Sequence, residues 1–186
     1  PLTEDEICVR SVMTGVCRSD IDMMVGEFGP LPLHMQGHEG LGQVIGIGAN
    51  IKDVNFGDFV ATRGEPAYAD IYNVRSREYV LVPEAHPRYI LEPVACGINI
   101  VEQAADEINK RNGKILIIGS GFLAWVAYHR LISRKQDVDV LGSSNTELWG
   151  DKLLVGTSKS YDIVIDLSGK YALGLDINLN NNALII

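Results

Sequence analysis

A chain of 186 residues with 46 % hydrophobic positions can bury a real core and is long enough for one large domain or two small ones. Its formal charge of −8, with no cluster of Lys and Arg, excludes the electrostatic footprint of a nucleic-acid binder or an acidic-membrane binder and leaves small neutral molecules as expected ligands. No apolar run approaches the roughly 20 residues of a membrane span, and the first residues lack the basic and apolar blocks of a signal peptide, so a cytoplasmic setting is expected.

In chain order, residues 6 to about 82 read as short strands split by Gly, Pro and Asp, with strands expected over 6–12, 40–47, 58–62 and 78–82. This is the pattern of a small, irregular β domain. The three cysteines, Cys8, Cys17 and Cys96, are too few and too scattered for a disulfide framework, so each is a buried apolar residue or a ligand. Cys8 lies in an alternating stretch and is expected in the core. Residues 85–111 change to helical spacing, with Val94, Ile98, Val101 and Ala105 on one side. Lys114-Ile115-Leu116-Ile117-Ile118, a glycine-rich turn, an apolar stretch over 122–132 and Val138-Asp139-Val140-Leu141 then read as strand, turn, helix and strand. Parallel sheets with right-handed crossovers are built from that unit. Further strands are expected over 161–167 and 183–186, with Asn180-Asn181-Asn182 as a turn.

A catalytic zinc takes three protein ligands of N, S or O type and keeps one position open. Cys17, His38 and Glu39 are the natural candidates, within Gly15-Val16-Cys17-Arg18-Ser19-Asp20 and Gly37-His38-Glu39-Gly40, followed by Asn55-Phe56-Gly57-Asp58. In that order and spacing these segments resemble the cysteine-ligand loop, the Gly-His-Glu motif and the Pro-Gly-Asp-like turn of the zinc-dependent medium-chain alcohol and polyol dehydrogenases. The resemblance implies an α/β protein, with a GroES-like irregular β-barrel domain over residues 1–92 that carries the catalytic zinc and a short Rossmann-like parallel-sheet domain over residues 93–186.

It also implies roles for particular residues. Leu91-Glu92-Pro93-Val94-Ala95-Cys96 is similar to the Glu-Pro-Leu segment of the polyol branch, which makes Glu92 the third zinc ligand beside Cys17 and His38. Cys96, one helical turn on, is the alternative, because a Cys₂His set also occurs in alcohol dehydrogenase. Glu39 is implied as the close carboxylate that can replace water on the metal. Asp20 is implied to orient His38, Ser19 to relay the alcohol proton, and Arg18 to meet the cofactor pyrophosphate, while Asp22 stands where some members carry a relay histidine. Many relatives hold a second zinc with four cysteines, but residues 61–79 contain none, so one zinc per chain is expected and Pro66, Tyr68 and Tyr72 are read as packing residues.

Gly119-Ser120-Gly121-Phe122-Leu123-Ala124 matches G-x-G-x-x-G/A between a strand and a helix. The first glycine allows the tight turn, the second lets the backbone approach a pyrophosphate, and the small Ala124 lets helix and strand pack closely. The position that carries the NAD-binding carboxylate is Ser143, and Gly142-Ser143-Ser144-Asn145 resembles the hydroxyl-rich ends of NADP-using cinnamyl-alcohol-type members. No arginine follows to clamp a 2′-phosphate, although Lys152 is within reach along the chain, so NADP is favoured and NAD stays open. The expected function is an oxidoreductase that passes hydride between a small alcohol or carbonyl compound and NAD(P). The alternative is a non-catalytic zinc- or nucleotide-binding remnant. Pro1 in place of Met and a sheet that ends at its fifth strand point to a fragment or an obligate homo-oligomer, because an incomplete sheet exposes an apolar edge.

Overall fold

The alternation of Glu6–Thr14 (β1) sends Ile7 and Val9 into a core where both are fully buried. In this computed structural model, which describes residues 1–27, 29, 36–64, 66–169 and 177–186, the chain divides into two compact units, Pro1–Pro93 and Val94–Ile186. Cys8, expected in the core, lies on the opposite face of β1 and is only half-buried. The period holds but the inner face is the other one, because Ile7 and Val9 bury more apolar surface than a single thiol.

In the first unit β1 is followed by Arg18–Met24 (α1), Gly40–Ile47 (β2), Phe59–Thr62 (β3), Ile71–Arg75 (β4) and Tyr79–Val82 (β5). The five strands form one antiparallel sheet in the order β4-β1-β2-β3-β5. The sequence pattern had no place for β4, since only Tyr72 and Val74 turn inward and two positions make too short a period to stand out. Val44, Val60, Tyr72 and Val74 join Ile7 and Val9 in the main core of the unit. Between β2 and β3 the Asn55–Asp58 turn is closed by Asp58, whose Oδ2 accepts the Asn55 N–H at 2.8 Å.

The second unit holds a parallel sheet. Glu92–Gln103 (α2) carries the chain into it, with Pro93 in the first turn where a missing N–H costs nothing. Ala105–Arg111 (α3), Ile115–Ile118 (β6), Phe122–Ser133 (α4), Val138–Leu141 (β7), Thr146–Trp149 (α5), Leu153–Leu154 (β8), Ser160–Asp166 (β9) and Asn178–Ile185 (β10) follow. Strand order is β10-β9-β6-β7-β8. All four residues of the central β6 are buried, as a parallel strand covered on both faces requires. Ala124, Ala127 and Leu131 form the buried stripe of α4.

Two expectations change here. The helical stretch over 85–111 is a 3-10 turn at Pro87–Tyr89 followed by the separate helices α2 and α3. The Asn180-Asn181-Asn182 run is no turn but part of β10, where pairing with β9 skips from Leu179 to Leu184 and Asn182 adopts a φ of 64°. Extra residues in one strand are absorbed as a bulge, and Asn tolerates the left-handed backbone this needs. No helix of the described residues is long and apolar enough to cross a membrane.

Where β1 bulges against β2 the two strands approach closely. Gly42 pairs with Ser11 there, and a Cβ on it would fall 2.4 Å from Val9 Cγ1 and 2.5 Å from the Arg10 carbonyl oxygen. Gly42→Ala is therefore expected to lower the unfolding free energy by about 1–3 kcal/mol, the usual cost of overpacking. Urea denaturation measures it, and an unchanged midpoint would mean that the two strands can spread without loss.

Candidate functional site

Two loops and the start of β2 build one cluster in the first unit. Cys17 stands at the N-cap of α1, directly after β1, and His38 and Glu39 directly precede β2. The segments are tied by the backbone: Gly15 N–H donates to the Glu39 carbonyl at 2.9 Å, and the Thr14 hydroxyl donates to the same oxygen at 3.1 Å. Gly15 is required by space, because a Cβ there would sit 1.9 Å from Glu39 Oε2. Gly37 is required twice over. Its φ of +88° is left-handed, and a Cβ would come within 2.6 Å of the Tyr68 ring. The outcome is that one ligand atom from each of Cys17, His38 and Glu39 lies within 4.8 Å of the others.

Asp20, in the first turn of α1, is 1 % exposed. Its Oδ2 accepts the Cys17 N–H and the Tyr68 hydroxyl, both at 2.8 Å. Its Oδ1 lies 3.3 Å from His38 Nδ1, outside hydrogen-bonding geometry, and has no other hydrogen-bond partner. The residues present suit a zinc ion: thiolate, imidazole and carboxylate are its usual donors, and a buried carboxylate oxygen facing the second ring nitrogen is the partner that a metal-bound histidine carries. Burial, and then the neighbouring Glu92 carboxylate, push the Glu39 pKa up, while His38 and the Cys17 thiol oppose that shift. Burial and the bond to Asp20 raise the Tyr68 pKa, so its hydroxyl stays protonated and donates.

The other expected site residues of this unit are placed around the cluster. Glu92, half-buried at the start of α2, is near enough to act on Glu39 but is not among the three whose ligand atoms converge. Cys96 is exposed and belongs to the second unit. Ser19 is half-buried in α1. Arg18 is largely exposed and pairs with Asp22 one turn on, Nε to Oδ1 at 2.7 Å.

In the second unit the glycine-rich turn has the geometry that its residue types allow. Gly119 has a φ of +115°, and a Cβ there would meet the Leu167 carbonyl oxygen at 2.8 Å. Gly121 caps α4 with open space where a Cβ would stand, Phe122 and Leu123 are exposed, and Ala124 is buried. Ser120 points into the fold instead. Its hydroxyl bonds to the Ser144 hydroxyl at 2.9 Å and accepts the Ser144 N–H at 3.2 Å. Its carbonyl accepts from Asn145 Nδ2 at 2.8 Å and from Trp149 Nε1 at 3.0 Å. The turn after β6 is thus fastened to the loop after β7, where Ser143 and Ser144 are exposed. Lys152 sits over the Tyr128 ring, 5.8 Å from its centre.

Three of these participants, Tyr68, Asn145 and Trp149, were not identified as site residues from the sequence. In the sequence Tyr68 has only the marks of a packing residue, Asn145 closes the Gly142-Ser143-Ser144-Asn145 stretch without a role of its own, and Trp149 lies in no motif. Nothing local marks them, since each acts on a residue 25 to 48 positions away.

Residues 3–92 match the family model of the alcohol dehydrogenase GroES-like domain. D-arabitol-phosphate dehydrogenase of Enterococcus avium is 39 % identical over 61 residues, which are 32 % of this chain and 17 % of that protein, so the match spans less than a fifth of the relative's length. Among solved structures, the quinone oxidoreductase of Coxiella burnetii has a TM-score of 0.76 at 17 % identity, covering 100 % of this chain and 67 % of that one. CAD from Helicobacter pylori, complexed with NADP(H), has a TM-score of 0.71 at 14 % identity, covering 100 % and 76 %. At these identities the solved structures speak for the fold: a GroES-like antiparallel sheet and a Rossmann-like parallel one.

The raised Glu39 pKa has a consequence for the metal-free protein. A carboxyl group whose folded pKa exceeds its unfolded value near 4.5 binds more protons when folded, so its contribution is present at low pH and is lost as pH rises through the folded pKa. Metal-free Glu39→Gln is therefore expected to be more stable than the metal-free parent at neutral pH. The advantage should shrink through the acid range and vanish below pH 4.5. Denaturation curves across pH check this, and a gap that stays constant would assign the effect to something other than the Glu39 charge.

Proposed function

From the match of residues 3–92 to the alcohol dehydrogenase GroES-like domain, we propose that this chain is a zinc-dependent oxidoreductase moving a hydride between an alcohol or polyol and NADP or NAD. The convergence of Cys17, His38 and Glu39 carries the proposal. Cys17, His38 and Glu92 would hold one zinc, with Glu39 alternating with water at the remaining place and Cys96 as the competing third ligand. When bound, the ion acts as a Lewis acid and lowers the pKa of the alcohol hydroxyl.

The chain's own residues do the rest. Asp20 Oδ1 faces His38 Nδ1, which leaves Nε2 for the metal. Ser19 Oγ would take the alcohol proton and release its own outward, and an oxidised nicotinamide, when bound, would supply the hydride acceptor that leaves the alcohol as a carbonyl compound. The turn at 119–124 would take the pyrophosphate at the N-terminus of α4, with Arg18 as a further contact. Ser143 and Ser144 present hydroxyls at the end of β7, where no carboxylate repels a 2′-phosphate, which supports NADP over NAD by a small margin.

Elemental analysis tests the metal assignment directly. About one zinc is expected in the parent and none in Cys17→Ala or His38→Ala, and zinc retained at parent level in both variants would remove the assignment. Loss in Cys96→Ala with retention in Glu92→Ala would move the third ligand to Cys96.

The relay is tested at matched zinc occupancy with a panel of small alcohols and polyols, using NADP and NAD. Ser19→Ala is expected to lower turnover by roughly 10²-fold, in the range of a positioned proton-transfer group, and Ser19→Thr to keep most of the rate. Equal rates in parent and Ser19→Ala would end the relay role. No hydride transfer by a parent that binds both zinc and nucleotide would favour a non-catalytic binding module.

A further inference from the structure

Tyr68 joins the two halves of the metal cluster. Its backbone N–H donates to the Gln36 carbonyl, and its ring lies so close over Gly37 that a Cβ there would come 2.6 Å from Cγ and Cδ1. Both contacts fall on the residues that deliver His38. At its other end the Tyr68 hydroxyl donates to Asp20 Oδ2 at 2.8 Å, the same oxygen that accepts the Cys17 N–H. With two donors on Oδ2, the Asp20 carboxylate is held so that Oδ1, which has no hydrogen-bond partner, is the oxygen 3.3 Å from His38 Nδ1. A carboxylate that is 1 % exposed and fastened by the Cys17 N–H alone could turn about that single bond. The hydroxyl removes that freedom.

We propose that Tyr68 is a positioning residue of the metal centre: through Asp20 it sets the orientation of the His38 ring relative to Cys17 and so raises the affinity of the cluster for a divalent metal. This rests on the reading of Cys17 and His38 as metal ligands. The hydroxyl touches no ligand and carries no reacting atom. It works by fixing the carboxylate that faces the second ring nitrogen of His38, and partners at that place on a metal-bound histidine change metal affinity strongly. A tyrosine that only packed would need its ring and not its oxygen.

Cobalt(II) added to the metal-free chain gives a test independent of activity, because its visible bands report ligand geometry and competition with a chelator reports affinity. Tyr68→Phe keeps the ring on Gly37 and is expected to weaken cobalt binding by ~10-fold, the lower end for such partners, and to shift the bands. A purely structural role would lower the thermal midpoint yet leave the affinity and spectrum of the folded protein unchanged, and that result overturns the proposal. In an Asp20→Asn background, adding Tyr68→Phe is expected to change affinity little. An undiminished loss there overturns the route through Asp20. A parent chain that binds no cobalt overturns the metal centre itself, whereas equal binding by parent and Tyr68→Phe overturns only the role of Tyr68.

Discussion

A carboxylate shut away from water costs several kcal/mol unless donors surround it, and Asp20 is such a group. The Cys17 N–H and the Tyr68 hydroxyl reach one oxygen, and the His38 ring stands beside the other. These three come from the start of α1, from the stretch before β4 and from the lead into β2, so satisfying one buried charge brings together segments far apart in the chain. The same bond to the Cys17 N–H caps the first turn of α1, where a carboxylate also favours the positive end of the helix. Local helix chemistry and site geometry therefore have one cause.

Close backbone approach is the second requirement. Gly15 and Gly37 leave room for the Glu39 carboxylate and the Tyr68 ring, and larger residues would push apart the segments that the Gly15–Glu39 bond holds. Burial first, and then repulsion from the Glu92 carboxylate, raise the Glu39 pKa. A divalent cation placed among these groups offsets that repulsion, and metal binding to such a cluster adds to folding stability.

The second unit solves a different problem with the same economy. A glycine-rich turn that leaves its backbone open to a ligand has few side chains to hold it in place. Ser120 supplies the anchor from within the turn, receiving three bonds and exchanging a fourth with the loop after β7. Trp149 is buried and stacks edge-on against Trp125 and Tyr128, which stiffens one of those anchors. A turn pre-formed in this way would lose less freedom if a ligand docked on it.

Much of this was legible in the sequence, and what was not has a common physical character. The alternation in β1, the apolar run of β6, the stripe of α4 and the glycine at 119 are set by local geometry, which repeats along the chain and can be read residue by residue. Cys17, His38 and Glu39 were legible as chemistry because each sits in a short motif. The face to which Cys8 turns, the division of residues 85–111 into two helices and the bulge at Asn180–Asn182 depend on what packs or pairs opposite, which no local period encodes. Tyr68 is the clearest case. Its ring looks like packing and its partner lies 48 positions away, so the sequence by itself determined the candidate ligands and the order of the two folds, while only the tertiary structure, by placing one hydroxyl against one buried carboxylate, decided how that carboxylate is held.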